Sequence, residues 1–144
     1  MATRHVIFRS AGQLFALPLG EVQVVVVPSV LTRVPRAPPA VRGVMNLRGR
    51  VVTAIDFAAL LSLPVAPAAD PGLARLLLLE GKLRDLGLLV DEVSGIRELS
   101  AVEPAAAGAS VEVVGLARDG EESVTLLAAE RLSVALRSRF EAHR

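Results

Sequence analysis

Apolar positions along the chain fall into short runs, many of them β-branched, separated by glycine, proline, serine and aspartate. That pattern predicts many short strands rather than long amphipathic helices. Val6–Arg9 and Gln13–Leu17 flank Ser10-Ala11-Gly12, a hairpin-length connection, and Glu21–Val27 follows Pro18 and Gly20 as a third strand. Val22, Val24 and Val26 then share one face and Gln23, Val25 and Val27 the other, so both faces carry large apolar side chains. Either both are core or one is a binding groove.

From Pro28 to Pro39 the chain holds four prolines, which lack the donor a central strand requires, so this segment reads as an ordered surface crossing. Gly43–Leu47 and Arg50–Ile55 form the next pair of strands around Arg48-Gly49, and Phe57–Leu61 has room for one or two helical turns before Pro64. A Pro/Ala loop, Val65–Gly72, precedes Leu73–Glu80 and Leu86–Val90, a further hairpin; the four leucines Leu76–Leu79 fit a strand buried on both faces, with helix as the alternative. Ile96–Leu99, Glu112–Ala117 and Ser123–Leu127 complete the strands, with Asp119-Gly120 as a turn signal and Ala105–Ala109 as a short low-complexity loop. Ala128–Phe140 reads as the one long helix. The expected fold class is therefore all-β, with short helices and a C-terminal helix. About ten strands exceed what one small barrel uses, and two small barrels sharing one chain would hold them.

Composition narrows this further. The chain of 144 residues is 52% hydrophobic, enough for a single domain over 1–144 to bury a core without staples. Cysteine is absent, which removes disulfides, thiol nucleophiles and cysteine-held metals. Tryptophan and tyrosine are absent too, and only four phenylalanines occur, so base-stacking platforms for nucleic acid are poorly supplied. No apolar run approaches the ~20 residues of a spanning helix and no signal peptide is legible, which points to a cytoplasmic protein without direct membrane insertion. The net charge of +1 is unevenly spread: residues 1–55 hold seven arginines against Glu21, a balance of +6, and residues 56–144 hold nine basic and fourteen acidic side chains, a balance of −5. Such segregation suits two surfaces that steer different partners.

Catalytic constellations are missing. His5 and His143 lie beside the two ends, where chains are commonly exposed, and no histidine pair or ligand cluster suggests a metal. Asp91-Glu92 and Glu121-Glu122 are adjacent pairs, which strands point to opposite faces. Gly108-Ala109-Ser110-Val111-Glu112 fails the nucleophile-elbow pattern at its last position, and Gly81-Lys82 lacks both the first glycine and the hydroxyl residue of a phosphate loop. Neither an enzyme nor a cofactor is expected.

What stands out is Gly43-Val44-Met45-Asn46-Leu47-Arg48-Gly49 running into Arg50-Val51-Val52-Thr53-Ala54-Ile55-Asp56. Glycine and asparagine suit a tight turn, and an arginine held there can fork onto a carboxylate or carbonyl. Arg48 could equally close an internal ion pair. Asp56 and Asp91, at strand ends, read as residues that secure turns. Arg33, Arg36, Arg42, Arg48 and Arg50 follow one another with no intervening acid, as a binding surface or a solvated one.

The same string resembles the signature of the CheW-like family, chemotaxis coupling proteins in which a glycine-opened strand ends in Asn-Leu-Arg-Gly and the next strand runs out to an aspartate. Gln13–Leu19 with Val22, the crossing Arg33-Val34-Pro35-Arg36-Ala37-Pro38, and Leu86-Gly87-Leu88-Leu89-Val90-Asp91-Glu92-Val93 are similar to further blocks of that family. The resemblance implies two intertwined five-stranded small β-barrels with an apolar groove. It also implies a non-enzymatic adaptor between the tip of a methyl-accepting chemoreceptor and the regulatory domain of a CheA-type histidine kinase. Val22, Val24, Arg42, Asn46, Leu47, Arg48 and Gly49 are the binding residues it suggests.

Two departures accompany the likeness. Many members carry an acid two positions after the residue matching Val22, able to pair with the signature arginine, where this chain has Val24. The last strand often ends with an aspartate where this chain reads Leu126-Leu127-Ala128-Ala129-Glu130. Both departures suit an adaptor specialised toward one partner. The rival reading is a small-barrel nucleic-acid binder using Arg33–Arg50. A kinase's own regulatory end is a third, set aside because the chain has no room for phosphotransfer and ATP-binding domains, so a standalone adaptor is expected.

Overall fold

The computed structural model describes residues 3–64, 70–100, 103–104 and 113–143, with side chains described as far as residue 138. The low-complexity loop Ala105–Ala109, the string 108–112, the first residue of the Glu112–Ala117 strand and residues 65–69 of the Pro/Ala loop lie outside them.

Eleven strands and two α-helices are seen among the described residues. They are β1 (Thr3–Ser10), β2 (Gln13–Pro18), β3 (Val22–Val26), β4 (Val41–Leu47), β5 (Arg50–Asp56), α1 (Phe57–Leu60), β6 (Arg75–Leu79), β7 (Leu86–Val90), β8 (Glu92–Leu99), β9 (Glu103–Pro104), β10 (Val113–Asp119), β11 (Glu122–Leu127) and α2 (Ala129–His143). The hairpins β1–β2 and β4–β5 turn through two residues, Ala11-Gly12 and Arg48-Gly49, all four at positive φ. Such turns match the right-handed twist of the strands they join.

The strands form two mixed sheets. One has six strands in the order β8-β1-β2-β11-β10-β9, the other five in the order β3-β6-β7-β5-β4. Each holds one parallel pair, β2 with β11 and β5 with β7, among antiparallel neighbours. The five-stranded sheet is inserted between the β1–β2 hairpin and the strands that complete the six-stranded sheet, so the two sheets interleave along the chain.

The expectation of two intertwined five-stranded small β-barrels is corrected here: neither sheet closes. In the five-stranded sheet the edges are β3 and β4, and the outer side of β4 is occupied at Val44 by Thr32 of the proline-rich crossing. The Thr32 amide donates to the Val44 carbonyl at 2.8 Å and the Val44 amide returns the bond at 2.9 Å. Gly43 permits that approach, since a Cβ there would lie 2.7 Å from the Thr32 carbonyl oxygen. Across the remaining gap toward β3, Arg50 at the start of β5 reaches by its side chain, Nη2 donating to Gln23 Oε1 at 3.2 Å. In the six-stranded sheet β9 takes the outer edge of β10, and β8 meets β10 through the Arg97–Asp119 ion pair at 3.9 Å. The strands were legible. Closure was not, because it depends on which distant segment occupies each edge.

Alternation along the strands divides the apolar residues among three cores. Leu77 and Leu79 face the main core between the sheets, while Leu76 and Leu78 face a smaller one with Met45, Val52 and Ala54. This answers the helix alternative for Leu76–Leu79 in favour of a strand buried on both faces. A third cluster gathers Ile7, Leu14, Ala16, Ala117, Val124 and Leu126 on the outer face of the six-stranded sheet. Gly87 lets β7 lie under Leu76, where a Cβ would come within 2.6 Å of Leu76 Cγ.

At the centre of the main core Phe57 meets Phe8 edge-on with ring centroids 5.0 Å apart and Phe15 at 4.9 Å. α2 covers the same core with Leu132 and Leu136. Its first amide, that of Ala129, donates to Glu21 Oε1 at 2.7 Å, a carboxylate at the positive end of the helix. His5, expected to be exposed, is instead buried in β1, its Nδ1 2.7 Å from the Thr3 carbonyl, because β1 is flanked by β2 and β8.

Phe57→Ala is expected to lower unfolding free energy by about 3–5 kcal/mol, since it opens a cavity between two sheets that cannot collapse independently. Glu21→Ala should lower it by only about 1 kcal/mol, the worth of a lost helix cap. Urea denaturation of both variants checks this ordering, and equal midpoint shifts would refute it.

Candidate functional site

Arg48 owes its position to the shortness of the β4–β5 turn. With Leu47 paired to Arg50, only Arg48 and Gly49 turn the chain, at φ 50 and φ 83. Asn46 Oδ1 accepts from the Gly49 amide at 2.8 Å and closes the turn from within. Left-handed backbone is costly for an arginine. It presents the guanidinium from the tip of the hairpin, where among the described residues it has no hydrogen-bond or ion-pair partner.

Beside this tip lies a groove of about 420 Å³ lined by Gln23, Val24, Val26, Leu47, Arg48, Arg50 and Leu78. Its location follows from the unclosed sheet: the space between β3 and the β4–β5 hairpin is where a ladder would have run. Arg50 fixes the width, since beyond Gln23 it donates to the Arg84 carbonyl at 2.7 Å and its Nε lies 3.9 Å from Asp85. The result is an apolar floor of valines and leucines flanked by one anchored arginine and one unpaired one.

Of the residues singled out in the sequence, the structure brings together Val24, Leu47 and Arg48. Asn46 and Gly49 shape the turn and do not line the groove. Val22 is elsewhere: the register shifts between Val22, opposite Leu79, and Val24, opposite Leu78. That bulge breaks the expected shared face of Val22, Val24 and Val26 and turns Val22 toward the main core. Arg42 sits near the start of β4 and pairs with Asp56 at 3.1 Å, away from Arg48. Asp56 Oδ1 also accepts from the Ala59 amide at 3.2 Å, at the start of α1, and Asp91 Oδ2 accepts from the Ala11 amide at 3.0 Å in the β1–β2 turn.

Gln23, Val26, Arg50 and Leu78 line the groove without having been among the expected binding residues, although Gln23 and Val26 lay on the two strand faces read as core or groove and Arg50 in the basic stretch. Leu78 was legible only as core, and the bulge that aims Gln23 across the gap leaves no mark in a valine-rich strand. Among the described residues no three histidine, aspartate or glutamate side chains gather as a metal site, and no helix there is long and apolar enough to cross a membrane. The groove therefore offers shape, apolar area and cationic hydrogen-bond donors.

Comparison with known proteins gives the family and the fold. Residues 4–136 match the family model described as the CheW-like domain. Protein PilI of Pseudomonas aeruginosa is 34% identical over 90 residues, 62% of this chain and 49% of that protein. Chemotaxis protein CheW of Rhizobium meliloti is 37% identical over 94 residues, 65% of this chain and 59% of that protein. The matched stretch thus spans about half to three-fifths of the length of these curated relatives. In fold, the chain is similar to the crystal structure of the scaffolding protein TtCheW from Thermoanaerobacter tengcongensis, with a TM-score of 0.78 at 23% identity over 88% of this chain and 84% of that one.

Asn46→Ala is expected to cost about 1 kcal/mol of stability through loss of the turn-closing bond. It should also speed amide hydrogen exchange at Gly49 while leaving β6 and β7 protected. Unchanged exchange at Gly49 would show that the turn holds itself without Asn46.

Proposed function

Because the chain belongs to the CheW-like domain family, we propose that it is a non-enzymatic chemosensory adaptor that couples methyl-accepting chemoreceptors to a CheA-type histidine kinase in the cytoplasm. The observation that carries this reading is the groove between β3 and the β4–β5 hairpin. An amphipathic helix sets an apolar face into such a groove, here on Val24, Val26, Leu47 and Leu78. Arg48 at the rim then meets a carboxylate or carbonyl of the receptor tip, and arginine is among the residues that dominate interfaces of this kind. The kinase's regulatory domain docks on a different surface, so that one chain holds both.

The rival reading, nucleic-acid binding, loses three of the four phenylalanines it would stack bases on. Phe8, Phe15 and Phe57 are almost wholly buried against one another, whereas single-stranded nucleic acid is held on exposed aromatics.

Within the adaptor reading, the chain is specialised toward the receptor. Val24 is 42% exposed in the groove beside Arg48, so the groove gains apolar area where an acid would have paired with the arginine. The exposed valine favours an amphipathic helical tip. The missing acid leaves Arg48 less oriented, which raises the ordering cost of a contact that needs it rigid.

Arg48→Glu is expected to weaken binding of a receptor-tip fragment by on the order of 1–3 kcal/mol with an unchanged unfolding midpoint, because the side chain is exposed and has no partner among the described residues. Calorimetric titration that finds equal affinity would refute the role of Arg48. Val24→Glu separates the partners: receptor binding should fall and kinase binding rise as the new carboxylate pairs with Arg48. Unchanged binding of both would refute the specialisation and leave the adaptor role standing.

A further inference from the structure

The proline-rich crossing holds a second feature, away from the groove. Val34 to Ala37 form a turn in which the Ala37 amide donates to the Val34 carbonyl at 3.3 Å. Pro35 takes its second position and Arg36 its third, at φ 62. A proline followed by a residue at positive φ makes a type II turn, whose third position suits glycine or asparagine. Arg36 therefore sits where any side chain strains the backbone. Its own side chain is exposed and, among the described residues, has no hydrogen-bond or ion-pair partner.

That side chain borders a cavity of about 450 Å³ with Arg33, Pro35, Pro38 and Arg42. Arg42 is held by Asp56 at 3.1 Å, which occupies part of its five-donor fork and leaves the rest available. Arg33 is exposed like Arg36. No acid occurs in the sequence from Val22 to Ile55 and none lines the cavity, so its lining is positive, with Asp56 beside Arg42. The crossing is also stiffened: its prolines fix φ, the Val41 amide donates to the Pro38 carbonyl at 2.9 Å, and the Asp56 amide donates to the Ala40 carbonyl at 2.7 Å. The backbone that carries the three arginines is thus fixed before a ligand arrives, which removes part of the ordering cost of binding one.

We propose that this cavity is a docking site for an acidic peptide segment of a protein partner, with Arg33 and Arg36 forking onto its carboxylates and Arg42 supporting them. Charge complementarity selects an anionic occupant. Its concave form selects a peptide over duplex nucleic acid, which is gripped through longer tracks of phosphate contacts. The site is independent of the receptor groove, which lies at the other end of β4, roughly 17 Å along the strand between Arg42 and Leu47.

The test is titration of a fluorescent deca-glutamate peptide into the intact protein and its Arg36→Gly, Arg33→Gln and Lys82→Gln variants, with a random-sequence DNA duplex as the competing anion. Arg36→Gly should relieve the turn and raise the melting temperature, yet weaken peptide binding about tenfold, a combination that loss of folding cannot mimic. Arg33→Gln should weaken it similarly. Lys82→Gln removes the same charge from an exposed turn elsewhere and should leave affinity within about twofold. The proposal is overturned if the peptide shows no saturable binding, if Arg36→Gly binds it as well as the natural protein, if Lys82→Gln weakens it equally, or if the duplex binds as tightly as the peptide.

Discussion

Phe8, Phe15 and Phe57 come from a strand pair of one sheet and a helix that follows a strand of the other, and their mutual contact is where the two sheets become one object. Each sheet has a further apolar cluster on its other face, but those clusters draw on one sheet at a time. Only the central core takes side chains from both sheets and from α2. The remaining architecture follows from keeping that core dry. Strands β6 and β7 must be apolar on both faces, and α2 must be docked over Leu132 and Leu136. The carboxylate of Glu21 reaches it from the segment just before β3.

The groove is a by-product of the same arrangement. A small sheet that twists to wrap a core brings its two edges toward each other, and here the last seam is left unladdered because Thr32 has claimed part of the outer edge of β4. The gap that remains is spanned by Arg50 and Gln23 and floored by side chains whose backs belong to the core. Rigidity in the site is thus inherited: Leu78 cannot move without disturbing the packing of Met45, Val52 and Ala54. A binding surface built this way needs no machinery of its own beyond the turn that carries Arg48.

How much of this was legible in the sequence depends on the range of the interaction involved. Local signals were read well: Arg48-Gly49 marked a turn, Asp119-Gly120 another, Leu76–Leu79 a strand with helix left open, and ten of the eleven strands came out, the two-residue β9 being missed. Interactions between distant segments left no such mark. Thr32 pairing with Val44, Glu21 meeting Ala129 across 108 positions, and the burial of His5 between two strands are decided by three-dimensional packing. The bulge at Gln23 was invisible for a different reason: a run of valines looks the same in either register, so nothing in it says which valine faces the core. The family signature compensated in part, because it drew attention to Asn46-Leu47-Arg48-Gly49, but it also suggested barrels where the chain has open sheets.

The parallel pairing of β2 with β11 has a consequence in time. During synthesis the β1–β2 hairpin emerges before the other strands of its sheet, about 75 residues ahead of β8 and about a hundred ahead of β11. The five-stranded sheet, contiguous in sequence, has all its strands by Val90, just before β8 and well before β11. Phe8 and Phe15 are therefore without their final cover until α2 has been made, and long-range pairing of this kind slows folding and prolongs exposure of apolar surface. The hairpin that anchors the core is thus the element that waits for the most distant partner in the sequence.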